Sequence, residues 1–116
     1  MAKKRVLGVV GIGHVGAHAA YALAIQGIAD ELVLVDQNEQ KLASEVQDLR
    51  DAVAYMPHRV TVRGSGFSDL GVCDVIVNSV GRIELLRGTH DRVTEMDFTI
   101  PAVRGYAEKI KASGFD

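Results

Sequence analysis

Residues 9–20, "VVGIGHVGAHAA", place three glycines within six positions, where an apolar run gives way to an alanine-rich run. Glycine costs a helix or strand interior about 0.5–1 kcal/mol relative to alanine, so three at one junction need a physical reason. The preceding residues 5–11, "RVLGVVG", predict a strand that is buried on both faces. Residues 15–26 predict a helix that Gly27 ends. The glycines therefore mark a turn from a strand into a helix.

Working outward from this turn, strand and helix patterns alternate along the chain. Residues 31–36, "ELVLVD", predict a second buried strand that ends on a carboxylate. Residues 38–56 predict a helix between an Asn38 cap and Pro57, since apolar residues recur at three- and four-residue steps. These residues are Leu42, Val46, Leu49, Val53 and Met56. They are expected to form core or a subunit interface.

The rest of the chain continues the alternation. The predicted elements are a strand at 59–64, a loop with one helical turn at 65–73, a strand at 74–81, a charged connection at 82–92, and a helix at 93–113 with a break near Pro101 and a C-cap at Gly114. Alternation of buried strands with helices predicts an α/β fold, a doubly wound parallel sheet with helices on both faces. We expect a single domain over residues 1–116.

Gly11, Gly13 and Gly16 form the pattern G-x-G-x-x-G, and Asp36 follows at the end of the next strand. In a strand-turn-helix context this arrangement predicts a dinucleotide site. Gly11 permits the tight turn, Gly13 lets a pyrophosphate approach the backbone, and Gly16 lets the helix pack close to the strand. The backbone N–H groups at the helix start, His14, Val15 and Gly16, are expected to face the phosphates.

Asp36 is expected to accept hydrogen bonds from the adenosine ribose. Its carboxylate would repel a 2′-phosphate, and neither Gln37 nor Asn38 supplies an arginine to offset that repulsion. The sequence therefore predicts NAD as cofactor, in preference to NADP. The alternative is a glycine-rich turn in an unrelated α/β fold, with Asp36 capping a helix.

Composition narrows the possible partners. The formal net charge is −2 and the pI about 6.1, so no basic surplus indicates a nucleic acid or an anionic membrane as partner. Cys73 is the single cysteine, which excludes an internal disulfide and fits a reducing, cytoplasmic compartment. His14 and His18 have a spacing that can bind metal, but without a third ligand nearby we predict no metal site.

The chain resembles the NAD-dependent L-2-hydroxyacid dehydrogenases, the family of L-lactate and malate dehydrogenases, and within it the L-2-hydroxyisocaproate dehydrogenases most of all. Residues 9–36 are similar to the family's first strand, glycine turn, helix and acidic strand end. "SEVQDLRDA" (44–52) resembles its Asp-Leu helix, and "CDVIVNSVGRIELLRGTHDR" (73–92) resembles its fourth strand and mobile loop. The resemblance implies a Rossmann-type NAD-binding domain and reversible hydride transfer to the C2 carbon of a 2-oxo acid.

The resemblance also implies roles for further residues. Arg92, closing "GTHDR", matches the arginine that polarises the substrate carbonyl from the mobile loop. Ser79, Val80 and Gly81 match the turn that lies beneath the cofactor and leaves room for adenosine. A helix region of the family contributes to a dimer, so a homo-oligomer, dimer or tetramer, is expected.

The loop between Gly81 and Arg92 is longer, by about two residues, than in typical lactate or malate enzymes. Counting forward places the specificity residue at Glu84, and counting back places it at Leu86. Neither could pair with the second carboxylate of a malate-type substrate, although Arg87 lies next to Leu86. We therefore expect a monocarboxylic 2-oxo acid, from pyruvate to a branched-chain acid.

The family's catalytic histidine, its aspartate partner and its substrate-clamping arginine come from the second half of the fold. None of His14, His18, His58 and His90 matches the histidine motif. The chain is thus expected to be the cofactor half of a longer enzyme, inactive alone. The alternatives are a stand-alone NAD-binding module, a malate dehydrogenase, or a doubly wound enzyme of another class such as a methyltransferase.

Overall fold

The structure, a computed structural model, describes residues 2–81 and 92–116. Within them the strands are β1 (Val6–Val10), β2 (Glu31–Val35), β3 (Thr61–Gly64) and β4 (Val75–Asn78). The α-helices are α1 (His14–Ile25), α2 (Glu39–Val53) and α3 (Arg92–Ala112), and a 3₁₀ helix spans Phe67–Val72.

The four strands form one parallel sheet in the order β3-β2-β1-β4. From β1 the chain moves outward through β2 to β3, and it then returns to place β4 on the other side of β1. Val10, at the end of β1, pairs with Val35 on one side and with Asn78 on the other. In such sheets the ligand crevice lies at the carboxyl ends of the two strands where the order reverses. The predicted doubly wound parallel sheet is confirmed, and its switch point lies between β1 and β4.

Alternate residues of the strands feed two cores, one on each face of the sheet. Val9, Leu32 and Leu34 pack against α1 and α2. Val10 and Val33 pack on the opposite face, against the 3₁₀ helix and the end of α3. Burial on both faces explains why the strand sequences are continuously apolar rather than alternating.

The apolar stripe of α2 belongs to the first core. Val46 and Leu49 are buried, and the remaining members of the stripe pack against them. Asn38 caps the helix as predicted, because its side-chain oxygen accepts a hydrogen bond from the backbone N–H of Lys41 at 3.0 Å. The helix itself ends at Val53, before the predicted Met56.

Two sequence-based predictions about the second half of the chain need correction. The break expected near Pro101 is absent, since α3 runs from Arg92 to Ala112 with Pro101 inside it. Proline removes one backbone donor, yet the helix continues through this position over 21 residues. The single turn expected in residues 65–73 is a six-residue 3₁₀ helix. The charged connection predicted at residues 82–92 lies outside the described residues, except for Arg92.

Ion pairs lie at the amino-terminal ends of the strands, at the end of the sheet opposite the crevice. Lys3, Lys4 and Arg5 reach Asp74, Glu31 and Asp30 at 2.6, 2.5 and 3.0 Å, in that order. The hydrogen bonds from Arg5 lower the pKa of Asp30 to about 2. Hydrogen bonds from Lys4 and from Arg63, whose Nε lies 2.6 Å from Glu31 Oε1, lower the pKa of Glu31. These ion pairs connect the segments that lead into β1, β2 and β4.

Replacing Glu31 with glutamine is expected to destabilise the domain by about 1–2 kcal/mol at neutral pH, because two cations then lose their shared carboxylate. The folded pKa of Glu31 lies below its ordinary 4.5. The wild-type advantage, its higher free energy of unfolding relative to Glu31→Gln, is therefore complete above about pH 5. It is lost as the pH falls through the folded-state pKa of Glu31. Urea unfolding at pH 7, 5 and 3 measures this, with the exposed Glu108→Gln as control. An advantage that stayed constant down to pH 3 would contradict the assignment.

Candidate functional site

The turn after β1 has the geometry that its glycines predict. Gly11 has a φ of +86°, which favours glycine, and its N–H donates to the Val35 carbonyl at 2.8 Å. A Cβ on Gly16 would lie 1.9 Å from the Gly11 carbonyl oxygen, so α1 rests directly on the turn. Gly16 is buried. The tight turn and the close helix packing are thus observed, and both depend on the missing side chains.

Gly13 has a different environment. It is the N-cap of α1, makes no side-chain capping bond, and an added Cβ would meet no atom within 4 Å. The first turn of α1 carries no acidic residue. The first backbone N–H groups of an α-helix lack intrahelical partners and carry the positive end of its dipole. Open space before such a helix start fits a diphosphate.

Ser79 joins the ends of β1 and β4. Its hydroxyl lies 2.6 Å from the Gly11 carbonyl and 3.0 Å from the Val10 carbonyl, and its N–H donates to Val10 at 2.9 Å. Next to it, Val80 packs against the second core and limits the space around Gly11. Gly81 is exposed at the cavity rim. Ser79 therefore holds the two halves of the crevice together, a contact that the sequence did not predict.

Asp36 is fixed in place before any ligand arrives. Its Oδ2 accepts a hydrogen bond from the N–H of Ile12 at 2.7 Å, and its Oδ1 accepts one from the N–H of Asn38 at 2.8 Å. The first bond ties the carboxylate to the glycine turn. Because Asn38 caps α2, the alternative role of Asp36 as the helix cap does not apply. A carboxylate has about four acceptor positions, so both oxygens can still accept hydroxyl hydrogens.

These segments surround one cavity of about 300 Å³. Of the predicted cofactor residues, those that line it are Gly11, Gly13, Asp36, Ser79, Val80 and Gly81. His14 lines an adjoining groove with His18 and Lys41. Val15 is 72% exposed, and Gly16 lies behind the turn. Arg92 is the exposed first residue of α3 and does not line the cavity. The specificity candidates Glu84 and Leu86, and Arg87 next to Leu86, lie outside the described residues.

Several further residues that the sequence did not predict line the same cavity. Lys41 brings a cation into it, and Phe67, Phe98 and Tyr106 bring aromatic rings. The sequence offered one weak signal, since Lys41 lies just after the predicted start of α2. Phe67 lies in the 3₁₀ helix and the other two aromatic residues lie on α3, so only the fold could assemble them.

Within residues 2–81 and 92–116, no cluster of three or more metal-ligating side chains could hold a metal ion. The rings of His14 and His18 lie 6.5 Å apart, and His18 Nδ1 lies 2.5 Å from the His14 carbonyl oxygen. No helix in the same ranges is long and apolar enough to cross a membrane. Cys73 is buried in the second core, and burial raises the pKa of its thiol.

Residues 5–84 match the family model described as lactate/malate dehydrogenase, NAD binding domain. The chain belongs to the lactate/malate dehydrogenase family. This family domain is 35% identical over 116 residues to an L-lactate dehydrogenase of Fusobacterium nucleatum, covering all of the chain and 36% of that relative. It is also 35% identical to L-lactate dehydrogenase 1 of Bifidobacterium longum, covering 93% of the chain and 34% of the relative.

Solved structures agree with this assignment. The minor L-lactate dehydrogenase of Enterococcus mundtii in its ligands-bound form superimposes with a TM-score of 0.90 at 30% identity, over 97% of this chain and 35% of that one. A malate dehydrogenase of Cryptosporidium parvum gives a TM-score of 0.84 at 18% identity, over 93% of this chain and 34% of that one, which shows the shared fold. The dehydrogenase-family domain therefore has the Rossmann fold and takes NAD as its cofactor. It spans about a third of the length of the relatives it matches.

Proposed function

We propose that this domain binds NAD in the cavity between the ends of β1, β2 and β4, as the cofactor domain of an L-2-hydroxyacid dehydrogenase. One observation carries the proposal. The open helix start at Gly13, the anchored carboxylate of Asp36 and the turn at 79–81 meet around one cavity. Diphosphate donors and a ribose acceptor in a single crevice are what a dinucleotide requires.

Each part of the cavity has a role in this proposal. Backbone N–H groups of His14, Val15 and Gly16 would bind the diphosphate, and Gly13 would let it approach the main chain. Asp36 would accept hydrogen bonds from the adenosine ribose, while Val80 and Gly81 leave room beside it. When bound, NAD supplies the hydride acceptor or donor that side chains lack.

We assign Arg92 to the substrate side of the reaction. A guanidinium beside the carbonyl oxygen would stabilise the negative charge that develops there, more in the transition state than in the ground state. Its exposure at the first residue of α3 supports this role, together with the likeness of the preceding loop to the family's mobile loop. The proton donor would come from a part of the longer enzyme that this chain does not include.

The proposed substrate is a monocarboxylic L-2-hydroxy or 2-oxo acid, from pyruvate to a branched-chain acid such as 2-oxoisocaproate. The L-lactate dehydrogenase names of the relatives support the small end of this range. Malate dehydrogenase is the second candidate, since that neighbour shares the fold. A stand-alone NAD-binding module is the third.

NADH oxidation by the full-length natural protein, with pyruvate, 2-oxoisocaproate and oxaloacetate, separates these candidates. The proposal predicts the highest kcat/KM with a monocarboxylic acid. A preference for oxaloacetate would show a malate-type enzyme. NAD binding by calorimetry without turnover of any 2-oxo acid would favour the stand-alone module.

Replacing Asp36 with asparagine is expected to weaken NAD binding by about tenfold, because one charge-assisted hydrogen bond to the ribose is lost, about 1.4 kcal/mol. Asparagine keeps the size of the side chain but only one of the two oxygens that accept backbone N–H groups, from Ile12 and Asn38, so some loss of stability is expected as well. Isothermal titration calorimetry measures the loss of affinity, and thermal unfolding checks the fold. The exposed Asp51→Asn in α2 is the matched control. Equal affinities for both variants and the wild type would place the ribose elsewhere.

We also propose that this domain is the first part of a longer, homo-oligomeric enzyme. No residue of α3 is buried, and apolar side chains on it, such as Met96 and Ile100, line an open groove. The remainder of the longer enzyme would cover this surface. Tyr21 and Ile25 of α1 are about half exposed and offer apolar area to a second copy.

A further inference from the structure

Tyr106 is held in place from two sides. Its ring stacks on that of Phe67, with centroids 5.0 Å apart and planes at 17°. The ammonium of Lys109 lies 5.1 Å from the Phe67 centroid and 6.0 Å from the Tyr106 centroid. The Tyr106 hydroxyl accepts a hydrogen bond from the side-chain amide of Gln37, the residue after Asp36. α3 is thereby bonded to the turn between β2 and α2.

This bond crosses the cofactor cavity beside Asp36. Asp36, Gln37 and Tyr106 all line that cavity. Partial burial raises the pKa of Tyr106, and the nearby negative charge of Asp36 raises it further, so the phenol is neutral at physiological pH. Gln37 is an exposed residue, and its side chain would rotate freely in water without a partner. The hydrogen bond to Tyr106 holds this side chain in one position.

We propose that the Gln37–Tyr106 bond is a specificity element that excludes a 2′-phosphate on the adenosine ribose, separately from the charge of Asp36. The inference rests on the proposed function, which places that ribose at Asp36. A 2′-phosphate extends past the hydroxyl into the space around Gln37. To admit it, Gln37 must give up its bond to Tyr106, whose ring is stacked on that of Phe67.

Lys41 makes this second barrier testable. Its cation lines the same cavity and would attract a phosphate. If the carboxylate of Asp36 alone excluded NADP, Asp36→Ser would leave a small hydroxyl and a nearby cation, and NADP should then bind well. If the bond to Tyr106 holds Gln37 in the space that the 2′-phosphate needs, the Asp36→Ser variant still binds NADP weakly until that bond is removed.

The test measures Kd for NAD and NADP by calorimetry in the full-length natural protein. Asp36→Ser alone is expected to improve NADP affinity by less than about tenfold, and adding Tyr106→Phe to improve it by about a further tenfold, the value of one released hydrogen bond. Phenylalanine keeps the ring stack. Tyr55, which is 93% exposed, supplies the matched control as Tyr55→Phe in the same background. It should add nothing.

A second variant reaches the same bond from the other side. Asp36→Ser with Gln37→Ala should match the NADP gain of the Tyr106→Phe pair, and the triple variant should add little more. Equal NADP affinity for Asp36→Ser with and without Tyr106→Phe would overturn the inference while leaving NAD binding intact. Failure of the wild type to bind NAD would overturn the proposed function itself, and this inference with it.

Discussion

Replacing Gly16 with alanine is expected to unfold or severely destabilise the domain and to abolish high-affinity NAD binding. The added Cβ would lie 1.9 Å from the Gly11 carbonyl oxygen and 2.6 Å from the Ser79 hydroxyl. Neither the carbonyl nor α1 can move without breaking the bond from Gly11 to Val35 or the contact of α1 with the sheet. We expect a loss of at least about 3 kcal/mol, a large share of the stability of a typical domain.

Gly105→Ala is the matched control for this prediction. Gly105 also lies inside a helix, and its added Cβ would meet no atom within 4 Å. Alanine there should stabilise the domain by about 0.5–1 kcal/mol through helix propensity alone. Urea unfolding of both variants measures the contrast. A Gly16→Ala domain as stable as the wild type would mean that α1 does not rest on the turn.

The Gly13→Ala variant separates the role of the glycine turn in NAD binding from its role in folding. Its Cβ would also meet no protein atom, so stability should change by less than about 1 kcal/mol. The methyl would occupy the space proposed for the diphosphate, and NAD affinity should fall by about tenfold or more. Unchanged affinity, measured by the same calorimetric titration, would place the diphosphate elsewhere.

Replacing Arg92 with glutamine is expected to lower kcat of the full-length natural protein by about 10²–10³, with NAD affinity unchanged within about twofold. Glutamine keeps length and a donor but removes the charge that would stabilise the developing alkoxide. Lysine restores the positive charge but not the planar, bidentate guanidinium of arginine. The kcat of Arg92→Lys should therefore lie between that of the wild type and that of Arg92→Gln. Single-turnover NADH oxidation measures the chemical step.

Arg59→Gln is the control for Arg92. Arg59 is likewise exposed, lies between α2 and β3, and is not among the residues that line the cavity. It should keep full kcat. A raised KM at unchanged kcat for Arg92→Gln would show ground-state binding instead of transition-state stabilisation.

Features determined by residues close together in sequence were predictable. The parallel strands follow from continuous apolar runs, and the position of α2 follows from the spacing of Val46 and Leu49 and from the Asn38 cap. The tight turn at Gly11 and the close approach at Gly16 follow from a short glycine pattern between a strand and a helix. Each signal depends on backbone conformation or on one periodic face, which local sequence specifies.

Other features were not predictable in this way. The helix was expected to break near Pro101 because proline removes a donor, yet α3 continues through it. The amide that fixes Asp36 belongs to Ile12, 24 positions earlier. Tyr106 and Gln37 are separated by 69 positions. No local pattern pairs them, because the sheet topology sets how near α3 comes to the turn after β2.

The sequence by itself determined the α/β class, the glycine turn and the carboxylate that follows β2. Those properties reside in backbone freedom, apolar periodicity and the charge of single side chains. Only the tertiary structure decided what surrounds the carboxylate: the amides that hold it, the cation of Lys41, and the bond from Gln37 to Tyr106. The reason is that the strand order β3-β2-β1-β4, in which β4 is added on the other side of β1, brings residues from distant segments to the carboxyl end of the sheet.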